Sequence, residues 1–201
     1  AEVQLIQERA PSIDILGVNT YGGIGNLKYD IEMFGWDKPY MVTEWGPTGH
    51  WEVPKTTWGA PFEETSSEKA VAYETRYRTG IAADGEHCIG SYVFLWGQKQ
   101  ETTPTWYGVF LEDGKQTGAL DALHRSWKKS EPANRAPILK SFELEDEALR
   151  SSVKLANGSS GKAKIEVEDP DGDPLEIKWE ILPESTDIRA GGDKEARPKS
   201  L

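Results

Sequence analysis

The sequence predicts an α/β protein in which a unit built on a parallel sheet is followed by a small antiparallel β module. Three short apolar runs are interspersed with stretches of helical periodicity, the order typical of strands that alternate with helices. Near residue 130 the composition changes, and apolar residues begin to alternate with charged ones, as in strands that bury one face.

The first unit is predicted to contain three buried strands and two helices. Strands are expected over residues 13–19, 39–44 and 89–96, because short continuous apolar runs are typical of parallel strands covered on both faces. A helix is expected from the capping-box pattern at residues 65–68 as far as Gly85, and another over residues 119–127.

The second unit is predicted to be a β-sandwich. Apolar residues alternate over 163–167 and again over 175–181, on either side of an acidic turn, which indicates a hairpin with one buried face. With further short strands over 138–144 and 153–155, it resembles an incomplete sandwich, since an immunoglobulin-like domain commonly uses roughly 100 residues.

These patterns define the expected domain organisation. The first domain covers residues 1–130 and holds seven of the eight Trp, and a polar linker with two prolines follows at 131–137. The β module covers 138–187, and 188–201 is expected to be a loop or tail.

Composition excludes several classes of function. Lys and Arg total 23 against 34 Asp and Glu, a net charge of -11, which disfavours nucleic acid and anionic membrane surfaces as partners. No apolar stretch approaches the about 20 residues of a membrane-spanning helix. The single Cys88 excludes an internal disulfide and a cysteine-based metal site.

No cofactor is expected, because the sequence contains no phosphate loop, dinucleotide fingerprint or zinc-protease motif. The only metal candidates are weak ones, Asp169, Asp171 and Asp173, which resemble the start of a calcium loop. An EF-hand is rejected because Pro174 stands where its glycine is needed, which leaves a solvated turn or a weak calcium site.

Glu44 is the strongest catalytic candidate. It closes an apolar strand, and in α/β barrels the carboxyl ends of the strands form the active face. A carboxylate in that position can act as the nucleophile in glycosyl transfer. Asn19 and Tyr21 end the preceding strand, where a phenol can position a carboxylate, and Trp96 ends the third, where an indole can support a sugar ring.

The loops beside these strand ends combine aromatic rings with polar side chains, a mixture that sugar binding requires. The predicted substrate-binding residues are Asn19, Trp45, His50, Trp51, Trp58, Trp96, Gln98 and Trp106. Some of these tryptophans are expected to pack loops rather than contact substrate.

The sequences Asp14–Tyr21, Val42–Gly46 and Tyr92–Gly97 resemble the sixth, seventh and eighth strands of a clan A retaining glycoside hydrolase. The likeness is to glycoside hydrolase family 2, or to related bacterial enzymes and fungal β-1,3-glucanosyltransferases. The resemblance covers residues 1 to about 127 and implies the C-terminal part of a (β/α)8 TIM barrel. It gives Glu44 the nucleophile's role, Tyr21 the positioning role and Trp96 the sugar platform.

The resemblance also implies that a catalytic group is missing. These enzymes carry their acid/base glutamate after an asparagine, and the sequence contains no Asn-Glu pair. The chain is therefore expected to be a fragment whose partner is the upstream half of its own barrel. By itself it should hydrolyse little or nothing.

The second unit resembles cadherin-like and polycystic-kidney-type immunoglobulin modules, through residues 134–137 and 169–175. Such modules imply an extracytoplasmic location. The expected function is a glycoside hydrolase or transglycosylase that acts on β-linked oligo- or polysaccharides by a retaining double displacement. The alternative is a non-catalytic carbohydrate-binding or adhesion module.

Overall fold

The computed structural model describes residues 2–148, 150–189 and 195–201, which form a mixed α/β protein. The helices are α1 (Glu2–Arg9), α2 (Leu27–Met33), α3 (Ser66–Arg76) and α4 (Gly118–Lys128). The strands are β1 (Leu16–Asn19), β2 (Tyr40–Trp45), β3 (Cys88–Val93), β4 (Ile138–Leu144), β5 (Glu147–Ala148) and β6 (Ala163–Glu168). None of these helices is long and apolar enough to cross a membrane.

The first three strands form a parallel sheet in the order β1-β2-β3. The ladder between β1 and β2 shifts register after Val18, which places Asn19 opposite Glu44. The carboxyl ends of β1 and β2 therefore lie side by side.

One face of this sheet builds the hydrophobic core. Tyr40 and Val42 are fully buried on that face. Alternate positions point the other way, where Thr43 is exposed and Tyr92 is 64% exposed. The expectation that both faces are covered is wrong, because within these apolar runs the second face carries small, polar or exposed residues. The core cluster includes Leu16, Ile24, Leu27, Ile31, Trp36, Trp45, Tyr73, Ile81, Val109 and Leu123.

The capping box predicted for α3 is present. The Thr65 hydroxyl accepts from the Glu68 backbone N–H at 3.2 Å, and the Glu68 carboxylate accepts from the Thr65 N–H at 2.8 Å. The α-helix ends at Arg76, and one π turn (Tyr77–Ile81) and a short 3-10 turn (Ala82–Asp84) continue it. The predicted last helix corresponds to α4.

A second sheet has the antiparallel order β5-β4-β6. The alternation predicted for β6 is present, since Ile165 and Val167 are half-buried while Lys164 and Glu166 are exposed. The ladder sets Ile165 opposite Phe142, so apolar residues face each other.

The predicted hairpin between β6 and residues 175–181 is wrong, because β6 pairs with β4 instead. Residues 175–181 form no strand, and their alternating apolar side chains are 39% to 70% exposed. Alternation shows that one side of a segment is apolar, but it does not say which strand the segment pairs with. Residues 153–155, a second predicted strand, also lack regular structure.

The predictions of a TIM-barrel portion and of a β-sandwich are both wrong for the described part of the chain. Among the residues that the structure describes, the parallel sheet has three strands and is open on both sides, since β1 and β3 each pair only with β2. A barrel requires every strand to be paired on both sides, and a sandwich requires a second sheet packed face to face. The apolar runs identify individual strands but carry no information on how many others pair with them.

Candidate active site

Glu44 and Tyr21 meet at the carboxyl edge of the parallel sheet. Glu44 is half-buried near the end of β2, and Tyr21, buried, follows β1 by two residues. The Tyr21 hydroxyl donates to Glu44 Oε1 at 2.7 Å, and the Thr20 N–H donates to the Glu44 carbonyl oxygen at 2.9 Å. Ligands of open α/β sheets bind outside the carboxyl ends of the strands, so this edge is the expected place for a site.

Aromatic rings surround the Tyr21 phenol. Its ring makes edge contacts with Trp51 at 5.3 Å, Tyr107 at 5.8 Å and Phe94 at 6.4 Å between centroids. Tyr107 is buried, whereas Trp51 is 57% exposed. The tyrosine that binds the Glu44 carboxylate therefore packs on the buried ring of Tyr107 on one side, and the neighbouring Trp51 indole is open to solvent.

His50 extends this aromatic group. Its Nδ1 lies 2.8 Å from the Tyr107 hydroxyl, and its backbone N–H donates to the same oxygen at 3.2 Å. The imidazole also makes edge contacts with Trp51 at 4.9 Å and Trp106 at 5.9 Å. Trp106 is buried and donates from Nε1 to the Thr48 carbonyl oxygen at 2.9 Å, so it supports the loop behind His50.

Helix α3 binds the loop after β2 through Arg76. The Arg76 guanidinium donates to the Gly46 carbonyl oxygen and to the Thr48 hydroxyl, both at 2.7 Å. A Cβ on Gly46 would lie 2.5 Å from the Phe94 carbonyl oxygen, closer than real Cβ contacts allow. Glycine therefore permits the close approach of the loops after β2 and β3.

Two further glutamates lie near the two tyrosines. The Glu52 carboxylate accepts from the Gly22 N–H at 3.0 Å and from the Gly49 N–H at 2.8 Å, which ties the loop after β1 to the loop after β2. Glu101 is 9% exposed and pairs with Lys99 at 2.7 Å.

This environment keeps the phenols protonated. Burial raises the pKa of Tyr21 well above its ordinary value, and the hydrogen bond to Glu44 and that residue's charge raise it further. Burial also raises the pKa of Tyr107; the His50 N–H opposes this, and the charges of Glu101, Glu52 and Glu44 add to it. At neutral pH Tyr21 therefore remains a donor, which fixes one oxygen of the Glu44 carboxylate.

The structure brings five of the predicted residues together, namely Tyr21, Glu44, His50, Trp51 and Trp106. Trp45 is elsewhere: its indole is fully buried in the core against Tyr73, 5.4 Å away. Trp96 stacks on Trp127 of α4 at 6.1 Å and is 56% exposed. A fully buried indole does not fit the substrate-binding role predicted for Trp45, whereas the platform role of Trp96 stays a prediction.

The three remaining predicted residues lie in three separate segments of the chain. The Asn19 amide oxygen accepts from the Thr43 hydroxyl at 2.8 Å on the exposed face of the sheet. Trp58 is 50% exposed in the connection between β2 and α3. The Gln98 amide donates to the Pro104 carbonyl oxygen at 2.9 Å.

Sequence reasoning missed Phe94, Glu52 and Glu101. Phe94 was missed because β3 ends at Val93 rather than at Trp96, so the ring at the strand end is a phenylalanine. Glu52 belongs to a turn that begins at Gly49, and the Gly-x-x-Glu spacing was its only signal. Nothing in the sequence marks Glu101.

The weak metal candidates are engaged within the protein. The Asp169 carboxylate accepts from the N–H groups of Asp171 and Asp173 at 2.8 and 3.1 Å, and Asp171 pairs with Arg135 at 2.8 Å. No group of three or more His, Cys, Asp or Glu side chains suited to a metal occurs among the residues described. The acidic turn is stabilised by these contacts.

Comparison with known proteins gives no match, either to a protein-family model or to a curated protein. The functional argument therefore rests on the geometry at the carboxyl edge of the sheet.

Proposed function

We propose that this chain supplies Glu44 as the nucleophile of a retaining glycosidase or transglycosylase that acts on β-linked glycans. The observation that carries the proposal is the hydrogen bond of 2.7 Å from the Tyr21 hydroxyl to Glu44 Oε1 beside an exposed indole at the strand ends. A held carboxylate next to an aromatic surface suits the attack of an oxygen on an anomeric carbon. An extracytoplasmic location belongs to the same proposal and rests on the sequence resemblance of the second unit.

Each group has a role in this proposal. Tyr21 holds Oε1, and the other carboxylate oxygen of Glu44 forms the bond to the anomeric carbon. The bond from that carbon to the leaving group breaks, and its electron pair departs with the leaving group. Trp51 packs against the apolar face of the sugar, and His50 donates to or accepts from its hydroxyls. Water or another sugar hydroxyl then attacks the anomeric carbon and gives up its proton to solvent, while the bond from that carbon to Glu44 breaks and its electron pair returns to the carboxylate.

A natural leaving oxygen must also be protonated, which requires a second carboxyl group about 5–5.5 Å from the first. Our proposal assigns only the nucleophile to this chain. The test therefore uses a substrate that needs no acid catalysis.

The test is covalent trapping with activated 2-deoxy-2-fluoro-β-glycosyl fluorides, built on several sugars. The fluorine at carbon 2 slows both steps, while fluoride leaves without a proton, so the glycosyl ester accumulates. Mass spectrometry should find one glycosyl group on the peptide that contains Glu44. Glu44→Gln should abolish the label, and Glu86→Gln, at an exposed site outside the aromatic group, should keep it.

A non-catalytic carbohydrate-binding module is the second candidate. It is favoured by the exposed Trp51 indole, which offers a sugar platform without any chemistry. If no sugar labels Glu44, and oligosaccharides bind equally well to wild type and Glu44→Gln but poorly to Trp51→Ala, this candidate replaces the first.

A further inference from the structure

A cleft lies beside the loop that carries Glu101. Its volume is about 860 Å³, and it is bounded by residues 98–105, by residues 111–116 and by the C-terminal stretches 176–185 and 197–198. A volume of this size falls within the range of small-molecule sites. The cleft has no part in the chemistry proposed for Glu44.

Gln100 lines this cleft and has an unusual environment. The residue is 4% exposed, yet neither its amide nitrogen nor its amide oxygen has a hydrogen-bond partner among the residues described. Buried side-chain amides in proteins are nearly always paired, because an unpaired one loses its bonds to water and gains nothing. The amide of Gln100 therefore has an unused donor and an unused acceptor side by side.

Ser185 adds a second, independent observation. It comes from the C-terminal stretch, far from Gln100 in sequence, and its hydroxyl is also buried without a partner in the described part of the chain. Both residues line the same cleft. Unpaired polar groups from two separate segments indicate that the cleft is built to receive hydrogen bonds from outside the chain.

The charged groups of the cleft disfavour an anionic ligand. Lys115 pairs with Asp113 at 2.7 Å, and Lys178 pairs with Glu180 at 3.4 Å. Arg197 pairs with both Glu112 and Glu180. Glu63 pairs with Lys69, and Glu176 and Glu184 add further negative charge, so the carboxylates of the lining outnumber its cations. The side-chain groups of the lining that are buried without a hydrogen-bond partner in the described part of the chain are the neutral amide and hydroxyl.

We infer that this cleft is a binding site for a neutral, polyhydroxylated ligand, a sugar unit of an oligosaccharide. Adjacent hydroxyls of a sugar each donate and accept, which complements the donor and acceptor of the Gln100 amide, and Ser185 bonds a further hydroxyl. No aromatic side chain lines the cleft in the described part of the chain, so recognition is by hydrogen bonds at the ring edge. The inference goes beyond the proposed function, because it requires no reaction at Glu44.

The experiment measures binding of short neutral β-linked oligosaccharides by calorimetry to the full chain and three variants. Gln100→Leu and Ser185→Ala should each weaken binding, Gln100→Leu by about tenfold. Glu86→Gln, at an exposed site that does not line this cleft, should bind as wild type does. The inference is overturned if no oligosaccharide binds, or if Gln100→Leu and Ser185→Ala bind as tightly as wild type.

The thermal midpoint of Gln100→Leu gives a second readout. If the amide is unpaired in the free protein, a leucine of similar size should leave the midpoint unchanged or raise it. A clear fall would show that Gln100 already bonds within the protein, which also overturns the inference. Trapping of Glu44 uses monosaccharide fluorides, so its failure would reject the proposed nucleophile and leave the cleft untouched.

Discussion

The two parts of the chain bury their large apolar side chains to very different extents. In the part that ends with α4, Trp45, Trp106 and Tyr73 are at most 1% exposed. In the part that begins with β4, Trp179 is 54% exposed and Ile181 is 70% exposed. The same residue type therefore stabilises one part and contributes little to the other.

The difference follows from what covers each sheet. The connections of a parallel sheet return as helices that pack on it, and here α3 and the cluster around Trp45 close the core. Within the described residues after α4 there is no helix to cover the antiparallel sheet, which meets the first part through the contact of β4 with α3. The spacing of apolar residues is enough to form a strand, but its apolar side chains are buried only where another layer of structure packs on them.

The sharpest test of this comparison exchanges tryptophan for alanine in each part. Trp45→Ala removes a fully buried indole and should lower the free energy of unfolding by about 4 kcal/mol. Trp179→Ala removes an exposed indole whose ring centroid lies 6.3 Å from that of Phe142, and should lower the free energy of unfolding by at most about 1 kcal/mol. Denaturant unfolding followed by circular dichroism measures both, and equal losses would contradict the comparison.

Two lysine ion pairs extend the comparison to charges. Lys69 is 6% exposed and donates to the Glu63 carboxylate and to the Thr105 carbonyl oxygen, whereas Lys164 lies 3.7 Å from Glu143 on the surface of the second sheet. Lys69→Met leaves Glu63 without its cation and should cost about 3 kcal/mol. Lys164→Met should change stability by no more than about 0.5 kcal/mol, since exposed pairs contribute little. A large loss from the surface variant would show that the second part depends on its charges.

The features that could be predicted from sequence are those with local causes. The strands of the parallel sheet follow from short apolar runs, and the start of α3 follows from Thr65 and Glu68. The pairing of Tyr21 with Glu44 follows from the rule that strand ends share one edge of a parallel sheet. Each of these depends on a few neighbouring residues.

The features that could not be predicted depend on what lies across space. Nothing in the sequence distinguishes Trp45 from Trp51, yet Trp45 is in the core and Trp51 is exposed. The difference arises because β2 ends at Trp45, so Trp51 lies in the loop that follows. Helix α2 is seven residues long, too short for its periodicity to stand out from a loop. The number of strands and the partner of β6 are set by long-range pairing, which local patterns do not encode.

The helix cap tests a smaller contribution to the first part. Thr65→Ala removes the acceptor for the Glu68 N–H at the start of α3 and should lower the free energy of unfolding by about 1 kcal/mol. Thr65→Ser keeps a hydroxyl and should lose much less. If both variants are equally destabilised, the methyl group rather than the hydrogen bond is responsible.

The smallest expected effect tests the contact between the two parts, where Arg150 reaches back from the second part to Glu68 at 2.7 Å. Burial alone would raise the pKa of Glu68, but the Thr65 N–H and Arg150 outweigh it and lower this pKa below its ordinary value. A carboxyl with a lowered pKa in the folded state adds stability above its unfolded pKa, and this stability is lost as the pH falls through the folded value.

The variant Glu68→Gln tests this contribution, because it keeps the capping geometry and removes the charge. At pH 7 it should be less stable than wild type by no more than about 0.5 kcal/mol, because the pair is partly exposed to solvent. Unfolding curves measured from neutral pH down through the acid range should show this gap closing, since wild type then loses the same charge; a gap that persists in acid would mean that packing, not charge, joins Glu68 to the second part.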